Sequence, residues 1–120
     1  ITPGIPDKKL VFLLTRSYYR QLLEAGVRIY EYTPGFIHAK SFVCDDEIAV
    51  VGTINLDYRS LYLHFECAAW MYQCQAVGQV KEDMLNTFRN SREVSLNTCK
   101  EQNVFRRGLQ SILRLFAPML

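Results

Sequence analysis

The sequence predicts an α/β (mixed α+β) fold, a mixed β-sheet flanked by helices, and three observations predict it. Apolar residues recur at helical spacing in two stretches: Tyr18, Leu22 and Leu23 within 16–25, and Val77, Val80, Met84, Leu85 and Phe88 within 75–92. Runs rich in β-formers at 27–33, 36–44 and 48–51 fall between them, the last two joined by the polar, turn-like Asp45-Asp46-Glu47. The 120 residues are 49% hydrophobic and 22% charged, the balance of one modest globular domain that can bury a core.

Taken in order, Ile1-Thr2 reads as the tail of a strand, and the Pro/Gly content of residues 3–6 marks a loop. Asp7 is expected to cap a first helix to about Leu14. A second helix follows from about Arg16 to Ala25, with Gly26 placed as its C-terminal cap. Val27 to Thr33 alternates as a strand, and Pro34-Gly35 turns the chain into a strand from Phe36 to Cys44. Ile48 to Val51 returns as the second arm of a hairpin. Asn55 to Ser60 reads as a polar loop and Leu61 to Tyr72 as a long strand, on which Glu66 shares a face with His64, Ala68 and Trp70. After the helix at 75–92, Ser95 is placed to cap a short helix holding Cys99. The spacing at 104–116 predicts a last helix with a basic side, for which packing on its own domain outweighs contact with an anionic membrane.

Chemistry concentrates in one stretch. In an extended segment residues i and i+2 share a face, so His38 and Lys40 point together. The hairpin return brings Thr53 and Asn55 back beside His38, and Gly52 leaves the backbone open to close approach. An imidazole, an ammonium, a hydroxyl and an amide on one spot of sheet suit a phosphate. The spacing H-x-K-x-x-x-x-D, completed by Asp45, would arise by chance roughly 0.003 times in a shuffled chain of this composition. The plain alternative is a satisfied strand histidine beside a solvated lysine.

The string HAKSFVCDD…GTINLDYRS…FE resembles the HKD motif of the phospholipase D superfamily, and is most similar to the second, C-terminal motif of bacterial cardiolipin synthases. IPDKKLVFLLTRSYYRQLLEAGVRIYEYTPGFIHAKS and the closing RLFAPML are also similar to that family, so the likeness spans nearly the whole chain. One departure is His64, where the family more often has asparagine. The resemblance implies a phospholipase D-like half-domain covering 1–120, a fragment of a longer chain whose first strand is truncated. The first HKD motif and the membrane helices would lie upstream.

That resemblance also implies a mechanism. A phosphodiester repels nucleophiles and has a poor leaving group; neutral imidazole, by forming a phosphohistidine, splits one hard displacement into two. Two HKD motifs meet at a pseudo-two-fold axis, one histidine as nucleophile and the other as general acid, without metal or other cofactor. His38 is one of the pair, with its role open between the two. Lys40 and Asn55 would hold the phosphoryl oxygens and Thr53 would add a hydroxyl donor. Glu66 matches the acid that orients the catalytic imidazole, against the alternative of a solvent-facing strand glutamate. Asp45 fits a turn or supporting residue better than a proton donor. Asp57, Arg59 and Ser60 match a loop that shapes the site by hydrogen bonding, and His64 reads as non-catalytic.

The expected reaction is transfer of a phosphatidyl group from one phosphatidylglycerol to another, making cardiolipin and glycerol, at the bacterial cell membrane with the catalytic part on its cytoplasmic side. The expected partners are the lipid and the N-terminal HKD half of the same protein. The fragment alone is expected to be inactive, and its clipped sheet edge favours homodimers. A single-motif phosphodiesterase or nuclease active as a homodimer, and a non-catalytic scaffold, are the competing readings. A net charge of +2 identifies neither nucleic acid nor an anionic membrane as partner. The apolar run that stands out, Leu10 to Leu14, is far short of the ~20 residues of a membrane span. Cysteines 44, 67, 74 and 99 match no metal-binding spacing and read as reduced thiols facing a cytosolic environment, with Cys44 and Cys67 expected to be buried.

Overall fold

A computed structural model describes residues 1–100, 108, 112 and 114. Along the chain the elements are β1 (Thr2–Pro3), α1 (Lys9–Glu24), β2 (Tyr30–Tyr32), β3 (Lys40–Cys44), β4 (Ile48–Gly52), α2 (Tyr58–Tyr62), β5 (Ala68–Tyr72), α3 (Gln75–Arg89), β6 (Ser91–Glu93) and α4 (Leu96–Lys100). Mixed helix and strand is thus the architecture, with two three-stranded sheets in place of one. The chain divides into two compact units: residues 1–36 with 91–120, and residues 37–90.

In the first unit the sheet order is β1-β2-β6, with β1 parallel and β6 antiparallel to β2. Tyr19 of α1, Ile29 and Val94 form the buried cluster, edged by Leu23 and Cys99. Burial pushes the Tyr19 phenol up to about 12, although the Thr2 hydroxyl bonded to it at 2.7 Å opposes the shift. Glu31, at the centre of β2, is only 1% exposed and needs compensating charge. Arg16 supplies two hydrogen bonds (Nε to Oε1 2.8 Å, Nη2 to Oε2 2.9 Å), and Arg92 of β6 adds a third at 2.8 Å.

Helix α1 is one helix where two were expected. No glycine or proline interrupts it, and the Thr15 hydroxyl donates to the Val11 carbonyl instead of breaking the turn. Lys8, not Asp7, holds the N-cap position, and its side chain makes no capping bond. The C-terminus matches expectation: Gly26 (φ +87°) follows Ala25, its N–H bonds Leu23 O, and Val27 N–H bonds Leu22 O, a Schellman motif. Of the expected strand at 27–33 only Tyr30–Tyr32 pairs. Ser95 Oγ accepts from Thr98 N–H at the start of α4, as its sequence position suggested. The expected helix at 104–116 lies outside the described residues except for Gly108, Ile112 and Arg114, which are helical. Arg114 lies over the Tyr18 ring at 4.6 Å and donates from Nε to Ser17 Oγ and from Nη2 to Ser17 O.

The second unit is an antiparallel meander, β3-β4-β5, with α3 packed on all three strands. Ala49 of β4 and Val77 of α3 are its fully buried apolar side chains among the described residues. Asp45 and Asp46 both have positive φ, 51° and 61°, and Glu47 N–H bonds Cys44 O at 3.1 Å. Positive φ at both central residues makes a turn whose twist matches the strands, and short polar aspartates tolerate that conformation. Lys81 of α3 clamps the turn through Asp46 at 2.6 Å.

Several expectations change in this unit. The pairing of the motif strand starts at Lys40, leaving His38 just ahead of it. The long strand at 61–72 is only Ala68–Tyr72, because Asp57 caps a short helix, its Oδ1 accepting from Ser60 N–H at 2.7 Å. The helix at 75–92 ends at Arg89, and residues 91–93 join the other unit's sheet. Cys44 and Cys67 are free and exposed, not buried: Cys44 closes β3 at the hairpin turn and Cys67 lies just before β5. Large apolar side chains, among them Leu56, Tyr62, Leu63, Phe65 and Trp70, stay exposed, so the core is smaller than the composition suggested.

Candidate active site

Every candidate residue lies in the second unit, and the sheet register brings them to one end of it. Lys40 pairs with Gly52, and Gly52 with Ala68, so residues just beyond this row sit at one end of three adjoining strands. Those residues are His38 before β3, Thr53 and Asn55 after β4, and Glu66 before β5. Directly opposed residues of antiparallel strands share a face, so Lys40, Gly52 and Ala68 lie on one side of the sheet.

His38 is exposed, and its main-chain carbonyl accepts from the Lys40 ammonium at 2.9 Å. Asn55 is exposed; its Nδ2 donates to Ser60 Oγ at 3.4 Å, and Ser60 itself is buried. Thr53 N–H bonds Cys67 O at 3.0 Å, continuing the ladder one step beyond β4. The Thr53 hydroxyl donates to Glu66 Oε2 at 2.5 Å and accepts from Cys67 N–H at 3.1 Å. That hydroxyl, followed by Ser60's, holds the Glu66 carboxyl below its ordinary range against desolvation, with lesser help from His64 and Lys40.

Gly52 has a different purpose from the one its position suggested. A Cβ there would run into Cys67 O and into Ala68 of β5, so what approaches its backbone is the neighbouring strand. Asp45 sits at the opposite end of β3 from Lys40, five residues and therefore about 17 Å along an extended strand. Its carboxylate accepts from the adjacent Cys44 thiol at 3.1 Å, which raises the thiol's pKa. Asp57 and Ser60 form the cap of α2, and Arg59 stands exposed on that helix. The Thr53–Glu66 bond was not anticipated from sequence. The signal was present, since a β4–β5 pairing aligned at Gly52 and Ala68 puts residue 53 one step from 66, but an overlong strand at 61–72 obscured it.

Comparison with known proteins decides the family. The model of the cardiolipin synthase phospholipase D-like domain matches residues 1–88. This chain belongs to that family. Over all 120 residues it is 52% identical to a Streptococcus mutans protein named only as uncharacterized, of which it covers 26%. It is 40% identical to a cardiolipin synthase of Alkalihalophilus pseudofirmus and 41% to one of Geobacillus kaustophilus, in each case over its full length and 24% of theirs. The phospholipase D-like chain thus spans about a quarter of the length of these relatives. No solved structure matches it.

Proposed function

We propose that this domain is one half of the phosphatidyl-transfer site of a cardiolipin synthase, joining two phosphatidylglycerols into cardiolipin and glycerol. The observation that supports this reading is the row Lys40–Gly52–Ala68, just beyond which the chain carries His38, Asn55 and Glu66. One of two paired histidines, His38 or its counterpart in the other half, attacks phosphorus. The bond from phosphorus to the glycerol oxygen breaks, and the second histidine gives that oxygen a proton. The hydroxyl of a second phosphatidylglycerol then attacks the phosphohistidine, passes its proton to the second histidine, and frees the first.

In this reading Lys40 and Asn55 hold the non-bridging oxygens, whose charge grows as the bonds exchange. Glu66 orients the His38 ring. Asp57, Arg59 and Ser60 shape the adjoining start of α2, and Asp45 serves the hairpin turn. The other half, and the membrane segments that bring the site to the cytoplasmic face, belong to the longer protein. Among the described residues no helix is long and apolar enough to cross a membrane.

The test uses the two-motif enzyme containing this domain, reconstituted in phosphatidylglycerol liposomes and followed by cardiolipin formation. Replacing His38 by alanine is expected to lower turnover by about a thousandfold or more. Wild-type turnover in that variant would overturn the reading.

A further inference from the structure

We infer that Thr53 is a positioning residue that fixes the Glu66 carboxylate, and not a ligand of the substrate phosphate. The inference rests on the reading above, in which Glu66 orients His38, and departs from the expectation that the Thr53 hydroxyl binds phosphate. A hydroxyl has one proton to give. Thr53 gives its proton to Glu66 Oε2 at 2.5 Å, a charge-assisted bond, while Cys67 N–H occupies an acceptor position on the same oxygen at 3.1 Å. The main-chain bond from Thr53 N–H to Cys67 O, 3.0 Å, fixes the backbone from which that oxygen projects. The side chain is therefore held by the segment leading into β5 and aimed at the carboxylate; to bind a phosphate oxygen it would have to release Glu66.

Ser60 contributes to the same carboxylate, and His64 and Lys40 are the cationic or titratable groups whose charge it feels. Ser60 also receives Asn55 Nδ2, so Ser60 links the glutamate to the asparagine through side chains alone. A carboxylate anchored in this way presents its remaining oxygen in a fixed direction, the requirement for setting an imidazole's tautomer and tilt.

Three variants of the two-motif enzyme test this: Thr53→Val removes the hydroxyl but keeps the shape, Thr53→Ser keeps the hydroxyl, and His38→Ala controls for the reading beneath. Thr53→Val is expected to lower kcat about ten- to a hundredfold with KM for phosphatidylglycerol unchanged, and Thr53→Ser to restore kcat to within about twofold of wild type. In carboxyl-detected NMR titration of the 120-residue chain, the Glu66 midpoint should rise in Thr53→Val and return in Thr53→Ser. A rise in KM with kcat unchanged would make Thr53 a phosphate ligand and overturn the inference. So would a folded Thr53→Ser enzyme whose kcat falls about tenfold or more below wild type, a readout that does not depend on the valine variant folding. If His38→Ala remains active, the catalytic reading fails instead; if it is dead while Thr53→Val turns over normally, only the role of Thr53 does.

Discussion

Glu31 shows how a single side chain sets the terms for its neighbours. A carboxylate 1% exposed is tolerable only while its charge is matched, and two arginines from different elements match it. They are not equivalent. Arg16 is 28% exposed and binds both carboxylate oxygens, whereas Arg92 is 63% exposed and donates one bond. Arg16→Ala should therefore cost about 3 kcal/mol of stability and Arg92→Ala about 1 kcal/mol, the second partner being screened by water. Denaturant midpoints of the two variants check the ranking, and a larger loss in Arg92→Ala would contradict it. The buried glutamate itself was not legible in the sequence. Within the alternating run 27–33 it looks like any outward-facing polar residue, and only the first unit's sheet, completed by β6, encloses it.

Element by element, the sequence was readable wherever local chemistry decides and unreadable where pairing decides. The Gly26 cap, the two-aspartate turn and the amphipathic α3 each follow from a few neighbouring residues, and each is where the spacing predicted. Strand limits depend on a partner. Residues 61–72 carry strand-like composition throughout, but Asp57 captures Ser60 N–H and diverts the first part into α2. The same dependence turned Gly52 from an opening for ligand into the tight point of the β4–β5 pair. Gly52→Ala should cost about 1–3 kcal/mol, because the methyl can be accommodated only by moving β5. It should also slow catalysis in the two-motif enzyme, since Glu66 leads into that strand. Thermal melts together with kcat check both; a variant of unchanged stability would mean that the strand yields freely. The candidate site was legible as a set of residues, from the H-x-K spacing and the family likeness, while the Thr53–Glu66 bond required the observed register.

At the scale of the whole molecule, the two units differ in how far their contacts reach along the chain. Residues 37–90 are contiguous and build their sheet from successive strands, so loop-closure costs are small. The other unit takes β2 from before that segment and β6 from after it, a long-range pairing of the kind that forms slowly. Pulsed hydrogen exchange during refolding should find amides of β3, β4 and β5 protected before those of β2 and β6, and the reverse order would contradict this. During synthesis the same connectivity imposes a sequence of events. A ribosome that has delivered residues only as far as the end of α3 has supplied a complete meander, with its histidine and lysine in place. The other sheet at that moment still lacks an edge strand, and its glutamate one of its two guanidinium partners, until the last quarter of the chain emerges.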